Sequence, residues 1–278
     1  MGSETQYRVF STGNELAIYG GCSGRCLFCP QSCSDVHADL YIDEHLEDAL
    51  RKKRRLCMVG IGRQYDPYMA QEEKLRLTRN CLRVISETSH GVYIRTRSEM
   101  IVRDIDLLKK IHSSAKAVVL MGLSCFDDNL CEILEPGQCS TSVRYEVMGE
   151  LHRAGIPVIA ELGPFVPWAN DTVPNLNGLL GYCARAGVRG LMCGDFKVNI
   201  PDQISKRFYE SMERAIPGFT RQARALLGNT NVLRCPDADA LEKAFRDGCL
   251  MYNLNCDYEE NLRFATTYPE KQLSFFFD

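Results

Sequence analysis

The order of apolar runs along the 278-residue chain predicts an α/β fold in which helices cover a parallel sheet. Three observations carry that prediction. Short strand-like runs alternate six times with stretches of helical periodicity, the connections between them are short, and no repeat or low-complexity linker interrupts them. Six units fall short of the eight of a closed barrel, so a partial barrel and an open doubly wound sheet both satisfy the pattern.

The elements follow in order. The apolar run ELAIYG (15–20) is the first strand and leads into a loop rich in cysteine. DEHLEDALRKK (43–53) opens with acids and closes with bases, which suits the two ends of a helix dipole. LCMVGIG (56–62) is the second strand, and QEEKLRLTRNCLRVISE (71–87) is one long amphipathic helix. GVYIRTR (91–97) is the third strand, followed by a helix over 103–113. KAVVLMGLSC (116–125) is the fourth, with helical pattern over 140–154. IPVIAELGPFVP (156–167) is the fifth, with a helix over 173–187, and GVRGLMCG (187–194) is the sixth. The alternation stops near residue 201. That divides the chain into a core of 1–200 and a small helical C-terminal extension of 201–278, read as helix (201–227), loop, helix (237–247) and irregular end.

With 45% hydrophobic and 25% charged residues the composition is that of a globular protein, and the length is enough for a large core. A net charge of −3 gives no global attraction to nucleic acid, so such a contact would need a local patch. No basic start precedes a long apolar run, and nowhere do eighteen apolar residues follow one another, so no membrane partner is expected. Fourteen cysteines is a high count for a chain that has no need of disulfides to replace a core. Most, such as Cys57, Cys125, Cys183 and Cys193, lie in apolar runs where a thiol acts as a small hydrophobe. A reduced, cytoplasmic setting is the expectation.

The stretch GGCSGRCLFCPQSC (20–33) stands apart. Cys22, Cys26 and Cys29 follow one another with three and then two residues between, just after the first strand, at the edge where βα architectures bind ligands. A disulfide knot, a zinc site, an iron–sulfur cluster and chance are the choices. Zinc sites recruit a second cysteine or histidine pair at a distance, and none with that spacing is present. Cys33 could add a fourth local thiolate, at the cost of crowding four on one short loop. Three thiolates suit a cubane cluster that leaves one iron open, with Gly20, Gly21 and Gly24 letting the backbone curl around it.

CSGRCLFC (22–29) is similar to the C-x3-C-x2-C signature of the radical S-adenosylmethionine enzymes. YDPYMAQEEKLRLTR (65–79), IRTRSEMIVRDIDLL (94–108), LEPG (134–137) and AGIPVIAELGPFVPWAND (154–171) resemble the spore-photoproduct-lyase-like branch of that family, from AIYGGC (17–22) to the closing KQLSFFF (271–277). The resemblance implies a partial (β/α)6 TIM-like barrel holding a 4Fe–4S cluster on Cys22, Cys26 and Cys29. Its open iron would chelate the amino and carboxylate groups of S-adenosyl-L-methionine, and an electron from a donor such as flavodoxin or ferredoxin would release a 5′-deoxyadenosyl radical. The protein's part would be positioning and the exclusion of solvent.

The same resemblance places Gly60 and Gly62 beside the methionyl amino group, where a glycine-rich turn is the plain alternative. Asp66-Pro67 keeps the branch's pair and shapes the loop. Arg95 and Arg97 share one face of the third strand by the period of two. Arg97 stands where the branch places a lysine, and a guanidinium can hold the cofactor carboxylate by two parallel bonds. Ser124 closes the fourth strand, at a position for a polar contact to the ribose or methionyl part. Glu135-Pro136-Gly137 matches a branch motif without an assignable role. Pro164 and Pro167 bracket the loop where adenine would pack, with Trp168 at its rim or in the core. Cys125 and Cys193, ending the fourth and sixth strands, are expected to face one opening, where either thiol could exchange a hydrogen atom. The basic run 51–55 is either a phosphate contact or a solvated helix end.

The chain departs from the branch at three positions. Phe28 and Pro30 stand where the lyase carries aromatic hydroxyls, and Arg63 stands where it carries its hydrogen-donor cysteine. Three functions therefore compete: a radical enzyme acting on nucleic acid, one acting on a peptide or small metabolite, and a non-catalytic iron–sulfur protein.

Overall fold

The structure, a computed structural model, describes residues 9–32, 34–227 and 230–269; Cys33 and the KQLSFFF stretch lie outside them. Six strands, Glu15–Leu16, Met58–Ile61, Gly91–Thr96, Ala117–Leu123, Val158–Leu162 and Gly190–Cys193, form one sheet whose spatial order is the chain order. Every pairing in it is parallel. A doubly wound sheet reverses its order at a switch point, and this one never does, so the winding is that of a partial barrel. The apolar runs become strands because both faces are covered. One face, with Val59, Ile61, Val92, Ile94, Val119, Met121, Leu123, Ala160, Leu162 and Leu191, packs in the main core under the helices. The other, with Met58, Tyr93, Val118, Leu120, Ile159 and Met192, packs against Leu262, Phe264 and Ala265 of a late helix.

That helix, Tyr258–Thr266, closes the end of the barrel where the strands begin. Asn261 accepts from Arg189 (2.7 Å) and donates to the Leu191 carbonyl, and Lys116 Nζ reaches the Phe264 carbonyl (2.6 Å). Arg189 and Lys116 each directly precede a strand. The sequence reading expected irregular chain here; Asp257 caps the helix by accepting from the Glu260 amide.

Other elements differ from expectation for identifiable reasons. The run 15–20 splits: Glu15–Leu16 joins the sheet, while Tyr19–Gly20 pairs antiparallel with His37–Ala38 at the base of the cysteine loop. The helix expected over 71–87 breaks into Glu72–Leu75 and Leu77–Glu87, with Arg76 left-handed at φ 53°. The buried Glu72 carboxylate forces the break by accepting from the amides of Thr78 (3.0 Å) and Arg79 (3.4 Å), which form the open N-terminus of the second piece. The 201–227 helix breaks at Pro217-Gly218 into Asp202–Ala215 and Phe219–Leu227, because proline offers no amide and Gly218 turns at φ 88°. Helix Ala238–Tyr252 runs five residues past its expected end and packs on helix Val173–Ala186. A short helix, Asp128–Leu134, capped by Asp127, had no recognised signal.

Candidate active site

The cysteine loop leaves the sheet through Gly21, at φ 81°, where a Cβ would stand 1.9 Å from the Asp35 carbonyl oxygen. Only glycine lets the two arms of the loop cross there. Its turn is then tied at several points. Ser34 Oγ accepts from the Cys22 amide (2.8 Å), the Leu27 amide donates to the Leu134 carbonyl (2.8 Å), and the Cys29 amide donates to the Cys26 carbonyl (3.3 Å). The Gly24 amide donates to Cys22 Sγ (3.3 Å), and a Cβ on Gly24 would lie 3.2 Å from that sulfur and 2.8 Å from Gln138 Nε2.

Cys22, Cys26 and Cys29 are all free thiols on this one turn. Burial pushes the Cys22 thiol up, and burial together with the Glu135 charge pushes Cys26 up to about 12. Burial thus disfavours the thiolate form of Cys22 and Cys26, which a bound metal centre would favour. Among the described residues no three His, Cys, Asp or Glu side chains converge on a point that suits a single ion. A cubane takes each thiolate on a separate iron, so its ligands need not converge. Three free thiols on one turn, with the Gly24 amide aimed at Cys22 Sγ, fit an iron–sulfur cluster better than a lone zinc.

Beside this turn the strands end in a connected polar set. Gly60 is the close-approach position: a Cβ would meet the Tyr93 hydroxyl at 2.4 Å and Glu15 Cδ at 2.7 Å. Gly62 turns at φ 94°, with the Arg95 carbonyl oxygen 2.0 Å from where a Cβ would be. Asp66 joins the end of the second strand to the third. It accepts from Thr96 Oγ1 (2.8 Å), the Arg97 amide (2.8 Å) and the Tyr68 amide (2.9 Å).

Arg95 and Arg97 do share a face, and both cross the fourth strand. Arg95 reaches Glu161 through Nε and Nη2 (2.6 and 2.7 Å). Arg97 lies over Gly122, where a Cβ would come within 2.7 Å of its Cζ, so glycine makes the crossing possible. Its Nε stands 3.3 Å from Glu135 Oε1, and its Cζ stands 5.8 Å from the centroid of Phe28 on the cysteine turn.

Glu135 is the hub that sequence reasoning missed. It is fully buried, and its other oxygen meets Arg144 Nη2 at 2.5 Å, itself fully buried and bound to the Gly122 carbonyl (2.9 Å). Burial works against its charge, yet Arg144 and Arg97 outweigh it and hold the carboxyl below its usual range. Ser124 is also fully buried and donates to Glu135 Oε1 (2.7 Å). It therefore meets Arg97 through the carboxylate and does not turn its hydroxyl to the pocket. The LEPG motif was the available signal for Glu135; Arg144, inside an ordinary helical pattern, carried none.

Cys125 and Cys193 do not face one opening. The strand period gives the inward position to Ser124, so Cys125 turns outward and is buried with Leu27, Cys131, Leu134 and Val166, its thiol pushed up to about 12 by burial. Cys193 stands opposite Leu162 on the helix-covered face and lines a cavity of about 740 Å³ with Asp195, Arg246 and Cys256. Pro164 follows a cis peptide bond, and Trp168 packs edge-on against Phe219 of the tail (centroids 5.7 Å apart). The basic run 51–55 lies two residues before the second strand, at the opposite end of the sheet from the cysteine turn. Arg51 pairs there with Glu47, and Lys53 donates to Asn14 Oδ1 (2.7 Å).

Comparison with known proteins agrees with this geometry. In fold the chain is similar to spore photoproduct lyase complexed with dinucleoside spore photoproduct, with a TM-score of 0.62, 14% identity, and coverage of 90% of this chain and 77% of the lyase. It is similar at a TM-score of 0.58 to Streptococcus suis SuiB bound to its precursor peptide SuiA, at 16% identity, covering 90% of this chain and 48% of SuiB. In sequence it is similar to an uncharacterized protein of Methanocaldococcus jannaschii, at 28% identity over 54% of this chain and 59% of that protein. An uncharacterized protein of Mycobacterium tuberculosis H37Rv matches at 23% identity over 62% of this chain and 55% of that protein. The two sequence matches thus span under two thirds of those relatives' own lengths. The family model of the Radical SAM superfamily matches residues 16–167, from the first strand through the loop after the fifth, and the chain belongs to that superfamily.

Proposed function

We propose that Cys22, Cys26 and Cys29 hold a 4Fe–4S cluster and that the strand ends beside them seat S-adenosyl-L-methionine for radical hydrogen abstraction. Held by these three residues, the cluster would supply the electron that cleaves the cofactor's sulfonium to methionine and a 5′-deoxyadenosyl radical. The observation that carries this reading is the single turn with three free thiols, set against Arg97 and the buried Glu135. Gly60 and Gly62 admit the chain's own Tyr93 hydroxyl and Arg95 carbonyl, and the methionyl amino group would lie beside the strand end that they shape. Arg97 Nη1 makes no hydrogen bond among the described residues and is available to a carboxylate, while Glu135, with Ser124 and Arg144, fixes the guanidinium's other edge. A low-potential flavodoxin or ferredoxin is the expected electron donor.

The substrate we favour is a peptide or small metabolite. The basic run 51–55 lies away from the rim, and Phe28, Pro30 and Arg63 replace the groups a lesion-repair relay would use. Cys193, half-buried beside its own cavity, is the more accessible of the two candidate hydrogen-exchanging thiols.

Anaerobic reconstitution followed by dithionite reduction tests the chemistry. The expected result is a cluster-bearing protein that forms 5′-deoxyadenosine from the cofactor. A loaded, reduced protein that leaves the cofactor intact would overturn the enzyme reading in favour of a non-catalytic iron–sulfur protein. Titration with DNA oligonucleotides at low salt tests the substrate class: no shift is expected, and a salt-sensitive shift would restore the nucleic-acid reading.

A further inference from the structure

The helix Asp202–Ala215 lies beyond the segment that matches the family, yet it touches the cysteine turn in two independent ways. Its apolar side, Ile204, Phe208 and Met212, shares a core with Leu27 and Phe28, the two residues between Cys26 and Cys29. Its polar side sends Arg207 to the turn itself. Arg207 Nη2 donates to the Cys26 carbonyl (3.0 Å) and to Ser32 Oγ, and Ser32 Oγ in turn donates to the Cys29 carbonyl (2.7 Å). One guanidinium thereby grips the backbone of two of the three thiol-bearing residues from outside the family segment.

We propose that Arg207 is a positioning residue of the cluster site, which makes the C-terminal extension part of the redox centre. The proposal rests on the reading that Cys22, Cys26 and Cys29 hold a cluster. Two physical effects follow. The bonds to Cys26 and, through Ser32, to Cys29 hold the turn in its ligating shape, as outer partners of metal ligands do. The guanidinium also brings a positive charge beside the turn, and in a half-buried setting a cation favours the state with one more electron. Hydrogen bonds and charge around the sulfurs are among the levers that set cluster potentials.

The test compares the unaltered protein with Arg207→Gln, Arg207→Lys and Ser32→Ala after anaerobic reconstitution. Readouts are iron retained against a chelator and the midpoint potential from a dye-mediated titration followed by electron paramagnetic resonance. Arg207→Gln is expected to lose iron about tenfold more readily and to titrate at a more negative potential. Arg207→Lys restores the charge and returns the potential towards that of the unaltered protein. Ser32→Ala cuts the link to Cys29 without changing charge, so it weakens iron retention and leaves the potential in place. Should Arg207→Gln fail to fold, as circular dichroism would reveal, the Lys and Ala variants decide alone. The proposal is overturned if Arg207→Gln matches the unaltered protein in both readouts, or if Arg207→Lys shifts the potential as far as Gln does, or if Ser32→Ala leaves iron retention unchanged. Failure of the unaltered protein to bind a 4Fe–4S cluster at all would instead sink the function proposed above.

Discussion

The two ends of the same six strands are built to opposite rules. Where the strands begin, Met58, Val118, Ile159 and Met192 meet Ala265 and Leu262, and the polar groups present, such as Asn261, satisfy backbone atoms. Where they end, the barrel buries the charges of Glu135 and Arg144, crosses Arg97 over Gly122, and gathers thiols whose burial disfavours their ionised form. The first end closes the barrel; the second pairs its buried charges with one another and leaves three free thiols beside them. Burying charge costs stability unless every member is paired, so such an arrangement persists where function needs it.

That contrast can be broken most completely at the cysteines. Cys22→Ala, Cys26→Ala or Cys29→Ala is expected to abolish the cluster absorbance and the iron content, with the far-ultraviolet dichroism of the barrel kept. Iron in full stoichiometry in any of them would mean the ligand set is wrong. Next in size is Glu135→Gln, which strands a fully buried Arg144. It should cost about 3–5 kcal/mol in urea unfolding. The same carboxylate gives a sign for acid: its folded-state pKa lies below the unfolded value, so its contribution is present above the ordinary carboxylate range. That contribution is lost as pH falls through the depressed folded value, and the Gln variant should show a flatter stability profile across that window.

Gly122→Ala puts a methyl group 2.7 Å from Arg97 Cζ. Displacing the guanidinium is expected to weaken S-adenosylmethionine binding by about tenfold, the equivalent of about 1.4 kcal/mol, as equilibrium dialysis would measure. At the opposite end, Asn261→Ala removes a buried cap of strand and loop carbonyls, for about 1–3 kcal/mol of stability. Because it acts where the strands begin, it should leave cofactor cleavage by the folded fraction unchanged. A loss of cleavage there as large as in Gly122→Ala would erase the distinction between the two ends.

Much of the fold was legible because local rules govern it. The strand runs 91–97, 116–125 and 187–194 each contain the strand observed, since a buried parallel strand must be apolar on both faces. The cysteine triplet was legible because its spacing is local. What escaped was set by distant partners. Nothing in QEEKLRLTRNCLRVISE announces that Glu72 will turn back to cap residues 78 and 79, and periodicity there favours one helix. Cys125 and Cys193 were misplaced because the phase of a strand, which residue faces in, depends on what packs on each side.

By itself, then, the amino-acid order determined the alternation of strand and helix, the turn bearing Cys22, Cys26 and Cys29, and the shared face of Arg95 and Arg97, because these follow from spacings of two to four residues and the backbone's own periods. Only the tertiary structure decided that the strands keep one winding direction, that Glu135 joins Ser124, Arg97 and Arg144, and that Arg207 reaches back to the Cys26 carbonyl. Those are contacts between residues 9 to 181 positions apart, and most of them form only once the packed core has brought distant segments together.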